Sequence, residues 1–326
     1  MHKHIFFSYA FDDKGNAHKL RNAEVAEELK NEGLAWIHLD GNSSLSKKWL
    51  EREVSYLDNL IIDALFAEEA RPRIIKFENG LLIILRGINL DATSEEMEDM
   101  ASIRLWIDNS RIISIQKRNF SAVFNVAKKI DAGKKIKTSP EFLYNLIYEN
   151  LLLISPEINK LNDEMDIVES TISQADHDSA SLREVVTSIR RKVAIFKRYI
   201  LPQKDVLSHL KSHDSDWIND WARRHFQENH DHITHIIEEL DEARDRSQIV
   251  HEEISNTIAD RLNHSMFKIS LIASIFMPLG FIAGLFGMNV GGIPGNEDPD
   301  GFYITLFFMV AALGLALLLL KRKKWF

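Results

Sequence analysis

The chain of 326 residues is 45% hydrophobic and 27% charged, which gives it the apolar content of a packed globular protein and excludes a disordered one. It holds 48 acidic and 40 basic side chains. Three and five of these lie beyond residue 265, so the remainder carries a net charge of about −10, which repels nucleic acid and attracts cations. With no cysteine, disulfides, thiolate nucleophiles and Cys-ligated zinc are excluded, and a metal site must use oxygen, imidazole or thioether.

The first stretch, MHKHIFFSYAFDDKG, is apolar only briefly before Asp12 and Asp13 and has no small-residue cleavage site, so it does not read as a signal peptide. Up to about residue 120 short apolar runs alternate with turn residues: Ile5 to Phe11, Ala35 to Leu39, Arg73 to Phe77, Leu81 to Leu90, Ile103 to Asp108 and Arg111 to Lys117. Asn79-Gly80 and Asp108-Asn109-Ser110 fall between such runs and predict antiparallel hairpins. The spacing of Trp49, Val54, Leu57, Leu60, Ile61 and Leu65 predicts a helix over 46–69 that crosses the sheet. Residues 1–135 are thus expected to form a cytoplasmic α/β domain.

Thr138-Ser139-Pro140-Glu141 combines a hydroxyl cap, a first-turn proline and a glutamate three residues after the threonine, which together open a helix. No glycine occurs from Lys134 to Leu279 and no proline from Gln203 to Met277, so long helices are expected over 136–265. Breaks are expected near 174–181, a polar run, and near Pro202, with the last helix starting around Asp216. Unbroken to Met288, that helix would hold 73 residues, or about 110 Å. A bilayer is far thinner, so most of it should project into the cytoplasm.

Two uncharged runs follow, Ile269 to Met288 and Phe302 to Leu320, of 20 and 19 residues. Each covers roughly 30 Å as a helix, the thickness of a bilayer's hydrocarbon core. The C-terminal part therefore reads as a first span over 266–288, an outer loop over 289–301, a second span over 302–320 and a basic tail over 321–326. The loop from Gly287 to Gly301 has no Lys or Arg, whereas Arg246, Arg261 and Lys268 precede the hairpin and Lys321, Arg322, Lys323 and Lys324 follow it, which places both termini in the cytoplasm. Phe302, Tyr303 and Trp325 stand where interfacial aromatics belong.

Stepping back from Gly287 by three and four residues, one helix face reads Gly284, Gly280, Met277, Ala273, Ser270 and Met266. Two readings fit this stripe of small and soft residues: a small-xxx-small packing seam and the wall of a pore. The same stripe continues through Asn263, Asn256, Glu252, Asp245 and Glu242, and an axial cation conduit would turn acidic and amide-rich in this way. The plainer alternative is a solvated helix face. Two spans cannot enclose a polar channel within one chain, so a conduit requires several copies. Met277 fits either an apolar constriction or soft packing.

A Gly-Met-Asn tripeptide, Gly287-Met288-Asn289, placed between two C-terminal spans resembles the signature of the CorA family of divalent-cation transporters. Magnesium-type members carry Tyr before the Gly and Met-Pro-Glu beyond the motif. Phe286 and Ile293-Pro294-Gly295 stand there instead, so the chain is similar to the ZntB-type, zinc-transporting branch. The resemblance implies a funnel-shaped homopentamer in a bacterial inner membrane, with Gly287, Met288 and Asn289 as the selectivity filter. It further implies zinc uptake, with protons as a candidate coupling ion. A ring of Asn289 amides would hold a hydrated ion; the alternative is that Asn289 caps the helix. Glu297, Asp298 and Asp300 would concentrate cations at the entrance or serve only loop solubility.

Six of the 13 histidines fall between 209 and 235. In a helix His209/His213 and His232/His235 would share faces, a metal site that suits zinc, against the plainer reading of an exposed polar face. No nucleophile elbow, Walker A or dinucleotide fingerprint is present, so neither an enzyme, a bound cofactor nor ATP-driven transport is expected. The rivals are a magnesium, cobalt or nickel channel of the same family, zinc efflux, and a membrane-anchored cytosolic scaffold or sensor.

Overall fold

A computed structural model describes residues 4–31, 33–54, 56–68, 71–88, 100–172, 179–213, 215–288 and 299–322. The chain divides into two units, Met1–His251 and Glu252–Phe326.

In the first unit the alternating apolar runs form strands β1 (Ile5–Phe11), β3 (Leu34–Asp40), β4 (Arg73–Phe77), β5 (Gly80–Gly87), β6 (Ala101–Ile107) and β7 (Arg111–Gln116), joined by a short edge strand β2 (Ala17–Lys19). They make one sheet in the order β2-β1-β3-β7-β6-β5-β4. Both expected hairpins are present, with Phe77 opposite Gly80 and Ile107 opposite Ile112. At the centre β3 and β7 run parallel, with Ile37 beside Ile113.

The two sheet faces bury different partners, as strand alternation requires. On one face Ala35, Ile37 and Leu39 pack with Val25 and Leu29 and with Trp49, Leu50, Ile61 and Leu65. These come from α1 (Asn22–Glu28) and its C-cap, α2 (Ser44–Glu53) and α3 (Asn59–Phe66). On the other face Trp36 meets Phe142 of α5 (Ser139–Ile172) and His38 meets Phe124 of α4 (Ser121–Asp131). The single helix expected over 46–69 is in fact α2 and α3. Asp58 breaks it by capping α3, its carboxylate accepting the Leu60 N–H at 2.8 Å.

The α5 start behaves as its sequence predicts. Thr138 Oγ1 accepts the Glu141 N–H at 3.3 Å, and the Glu141 carboxylate reaches back to the Lys137 N–H at 2.9 Å. Helix α6 (Ser179–Lys211) runs through Pro202, where a break was expected. An internal proline costs about 3 kcal/mol. Here the turn is held from outside: Gln203 is buried and its Oε1 accepts the Arg86 N–H of β5 at 3.1 Å, while Ile200, Val206 and Leu207 are buried around it. Helix α7 (Asp220–Phe286) is tied to α5 by Arg246, which donates to Glu169 at 2.8 Å and to Asp166, and to α6 by Lys197 with Asp241.

In the second unit α7 ends at Phe286 and α8 spans Gly301–Arg322. Both hold stretches long and apolar enough to cross a membrane, with mean hydropathy 2.2 and 2.5. From residue 261 to 322 Leu271 is the one buried residue among those described. A core helix of a water-soluble protein would bury such surface; these helices leave it to lipid or to further copies of the chain.

Candidate ion path

Within the first unit, the inward face of α7 is lined by Phe226, Ile233, Leu240, Ala243, Ser247 and Val250, all buried. On the opposite side Glu242, Asp245 and Ile249 are exposed, Ile249 at 64%. Asp245 accepts from its neighbour Arg244 at 2.9 and 3.0 Å, so part of this acidic face is neutralised within the chain. Hydrogen bonding to Lys197 holds the Asp241 carboxyl below the usual carboxylate range.

In the second unit Glu252, Asn256 and Asn263 are exposed, as are Met266, Ser270, Ala273 and Met277. A β-carbon added at Gly280 or Gly284 would meet nothing within 4 Å. The fold of one chain therefore does not require glycine there. Gly287 has a local reason: its N–H donates to the Ala283 carbonyl at 3.0 Å as the helix closes, and a β-carbon would crowd that same oxygen. Met288 follows, exposed. Asn289, Glu297 and Asp298 lie outside the described residues. Asp300 is exposed, and its carbonyl accepts the Ile304 N–H at 3.1 Å in the first turn of α8.

The histidines separate. Helix α6 ends at Lys211, so His209 and His213 do not lie on one helix. His232 is half-buried with Nε2 3.0 Å from Ser155 Oγ of α5. Ser155 Oγ also lies 3.1 Å from the Leu151 carbonyl, so hydroxyl and imidazole share one hydrogen-bond network. Burial, with His235 beside it, pushes the His232 pKa down. His235 is exposed, 3.5 Å from Glu239. Among the described residues no group of three or more His, Asp or Glu side chains is placed to hold a metal ion. Sequence spacing did not reveal Ser155, 77 positions from His232.

The family model for "CorA-like Mg2+ transporter protein" matches residues 31–322. The chain belongs to the CorA family. Its relatives cover it almost end to end. The "Divalent cation transporter CmaX" of Pseudomonas aeruginosa is 30% identical over 98% of this chain and 96% of its own. A "Zinc transport protein ZntB" of Yersinia enterocolitica is 31% identical over 98% and 95%. The solved structure of full-length CmaX superposes with a TM-score of 0.83 at 29% identity, over 99% of this chain and 98% of that one. An N-terminal α/β domain followed by long helices and a C-terminal apolar pair is therefore the CorA-type fold.

Proposed function

We propose that the protein carries zinc across a bacterial inner membrane, as a pentamer whose first spans surround the path and whose termini face the cytoplasm. The observation that carries this reading is the Gly287-Met288-Asn289 tripeptide between two helices whose apolar surface one chain leaves uncovered. Within the family, Phe286 and Gly295 depart from the magnesium-type loop, and several relatives bear the name zinc transport protein. Asn289 amides and the Gly287 carbonyl would take the place of second-shell water around a hydrated ion, and Glu297, Asp298 and Asp300 would raise its concentration at the mouth. The open space at Gly280 and Gly284 suits close approach of neighbouring copies around a lumen, with Met266, Ser270, Ala273 and Met277 on the same stripe. Glu242, Asp245, Glu252, Asn256 and Asn263 would extend the path inward. Protons are the candidate coupling ion, entering through these acids.

A second reading, a broader divalent-cation range, is favoured by CmaX, which is as similar as the zinc proteins and is named for divalent cations in general. Titrating magnesium, cobalt and zinc against one another in proteoliposomes separates the two. Zinc flux that resists excess magnesium supports the first reading; equal competition supports the second. Flux that is unchanged by an imposed pH gradient rejects proton coupling.

A further inference from the structure

At the centre of the sheet β3 and β7 lie parallel, and the chain leaves them toward opposite faces. After β3 it turns through Asp40, Gly41 and Asn42 into α2, on the face where Leu39 packs with Trp49 and Leu50. After β7 it turns through Lys117 to Phe120 into α4, on the face where His38 meets Phe124. Although the other strand pairs are antiparallel, this divergence leaves a crevice outside the carboxyl ends of the parallel pair, the place where open, mostly parallel α/β sheets bind ligands. Here the crevice is a cavity of about 530 Å³ between the two loops, a volume typical of small-molecule sites.

We propose that this crevice binds a nucleoside phosphate. Lys117 and Arg118 line it and supply positive charge. Beside them begins α4, whose N-cap is Phe120, a residue with no side-chain acceptor to offer its first-turn N–H groups. One carboxylate, Asp40, shares the wall, and its Oδ1 is turned into its own loop, accepting the Asn42 N–H at 2.9 Å. Phe6 and Phe124 form the apolar side, 46% and 37% exposed, with ring centroids 6.0 Å apart. Such rings cover a base rather than a bare anion. Asn119 points to the same class of ligand. The residue lines the same wall, and its buried Oδ1 has no hydrogen-bond partner among the described residues. A buried acceptor calls for a donor, and a base amine or sugar hydroxyl provides one.

The test is calorimetric titration of the full-length protein in detergent with ATP, AMP and inorganic phosphate, each in chelator so that no metal bridges are formed. ATP or AMP should bind at millimolar or lower concentration, with phosphate at least about tenfold weaker. The Lys117→Ala/Arg118→Ala double variant should lose about tenfold or more in nucleotide affinity. Lys117→Arg should retain it, which guards against misreading a folding defect. Phe124→Ala should weaken AMP and leave phosphate unchanged. No binding of ATP or AMP at millimolar concentration would overturn the proposal, as would a double variant that binds like the parent or phosphate that binds as tightly as AMP. None of these outcomes depends on what the protein transports.

Discussion

The Ser114 hydroxyl of β7 accepts the indole N–H of Trp36 on β3 at 2.8 Å, in the middle of the parallel strand pair. The same oxygen lies 2.8 Å from His38 Nδ1 and 3.1 Å from the Ile37 carbonyl. All three side chains are buried, so this one hydroxyl satisfies polar atoms that water cannot reach. Ser114→Ala should lower stability by about 1–3 kcal/mol, read as a drop in the melting temperature of the detergent-solubilised protein. An unchanged melting temperature would mean that Trp36 finds another acceptor.

His38 adds a dependence on pH. It is fully buried between Phe6, Phe7 and Phe124, and burial pushes its pKa down to about 3. An unfolded chain protonates this imidazole near 6.5. Above that value neither state binds the proton and stability is complete; as pH falls from 6.5 toward 3 the unfolded state gains a proton that the folded state refuses. The loss approaches about 1.4 kcal/mol per pH unit. Melting temperatures at pH 7 and pH 5 should differ less in His38→Leu than in the parent. Equal differences would assign the acid sensitivity elsewhere.

Gly87 at the end of β5 has no room for a side chain. A β-carbon there would collide with Asn150 Oδ1, and Asn150 is fixed by donating to the Arg86 carbonyl at 2.8 Å. Gly87→Ala should therefore destabilise by about 1–3 kcal/mol through overpacking. Gly280 and Gly284 form the contrast, since one chain leaves open space at both. Gly280→Val and Gly284→Val should leave the melting of the first unit unchanged while reducing oligomer recovery on size exclusion or zinc flux. Unaltered assembly and flux would show that no neighbour approaches these positions.

Much of the first unit was legible because strand alternation and turn dipeptides are local signals: the runs at Ile5–Phe11 and Arg73–Phe77 coincide with strands residue for residue. Edge strand β2 was not, since Ala17, His18 and Lys19 carry no alternation for a buried face to impose. The passage of α6 through Pro202 could not be read because what holds it, Gln203 against Arg86, lies 117 positions away in sequence. The switch-point crevice was hidden for the same reason, as it depends on Asp40 and Gln116 becoming neighbours across the parallel pair. Asp58, by contrast, is a cap that the sequence itself offers, obscured by the apolar spacing that continues on both sides of it. The apolar hairpin and its Gly-Met-Asn needed no tertiary information at all.

Zinc flux into proteoliposomes, compared between the parent and Asn289→Ala, tests the central claim most directly. A ring of Asn289 amides gripping the hydrated ion predicts that the variant assembles as the parent does and loses at least about tenfold in flux, the effect of removing roughly 1.4 kcal/mol of ion binding. An Asn289→Ala protein that assembles normally and carries zinc at the parental rate would contradict it.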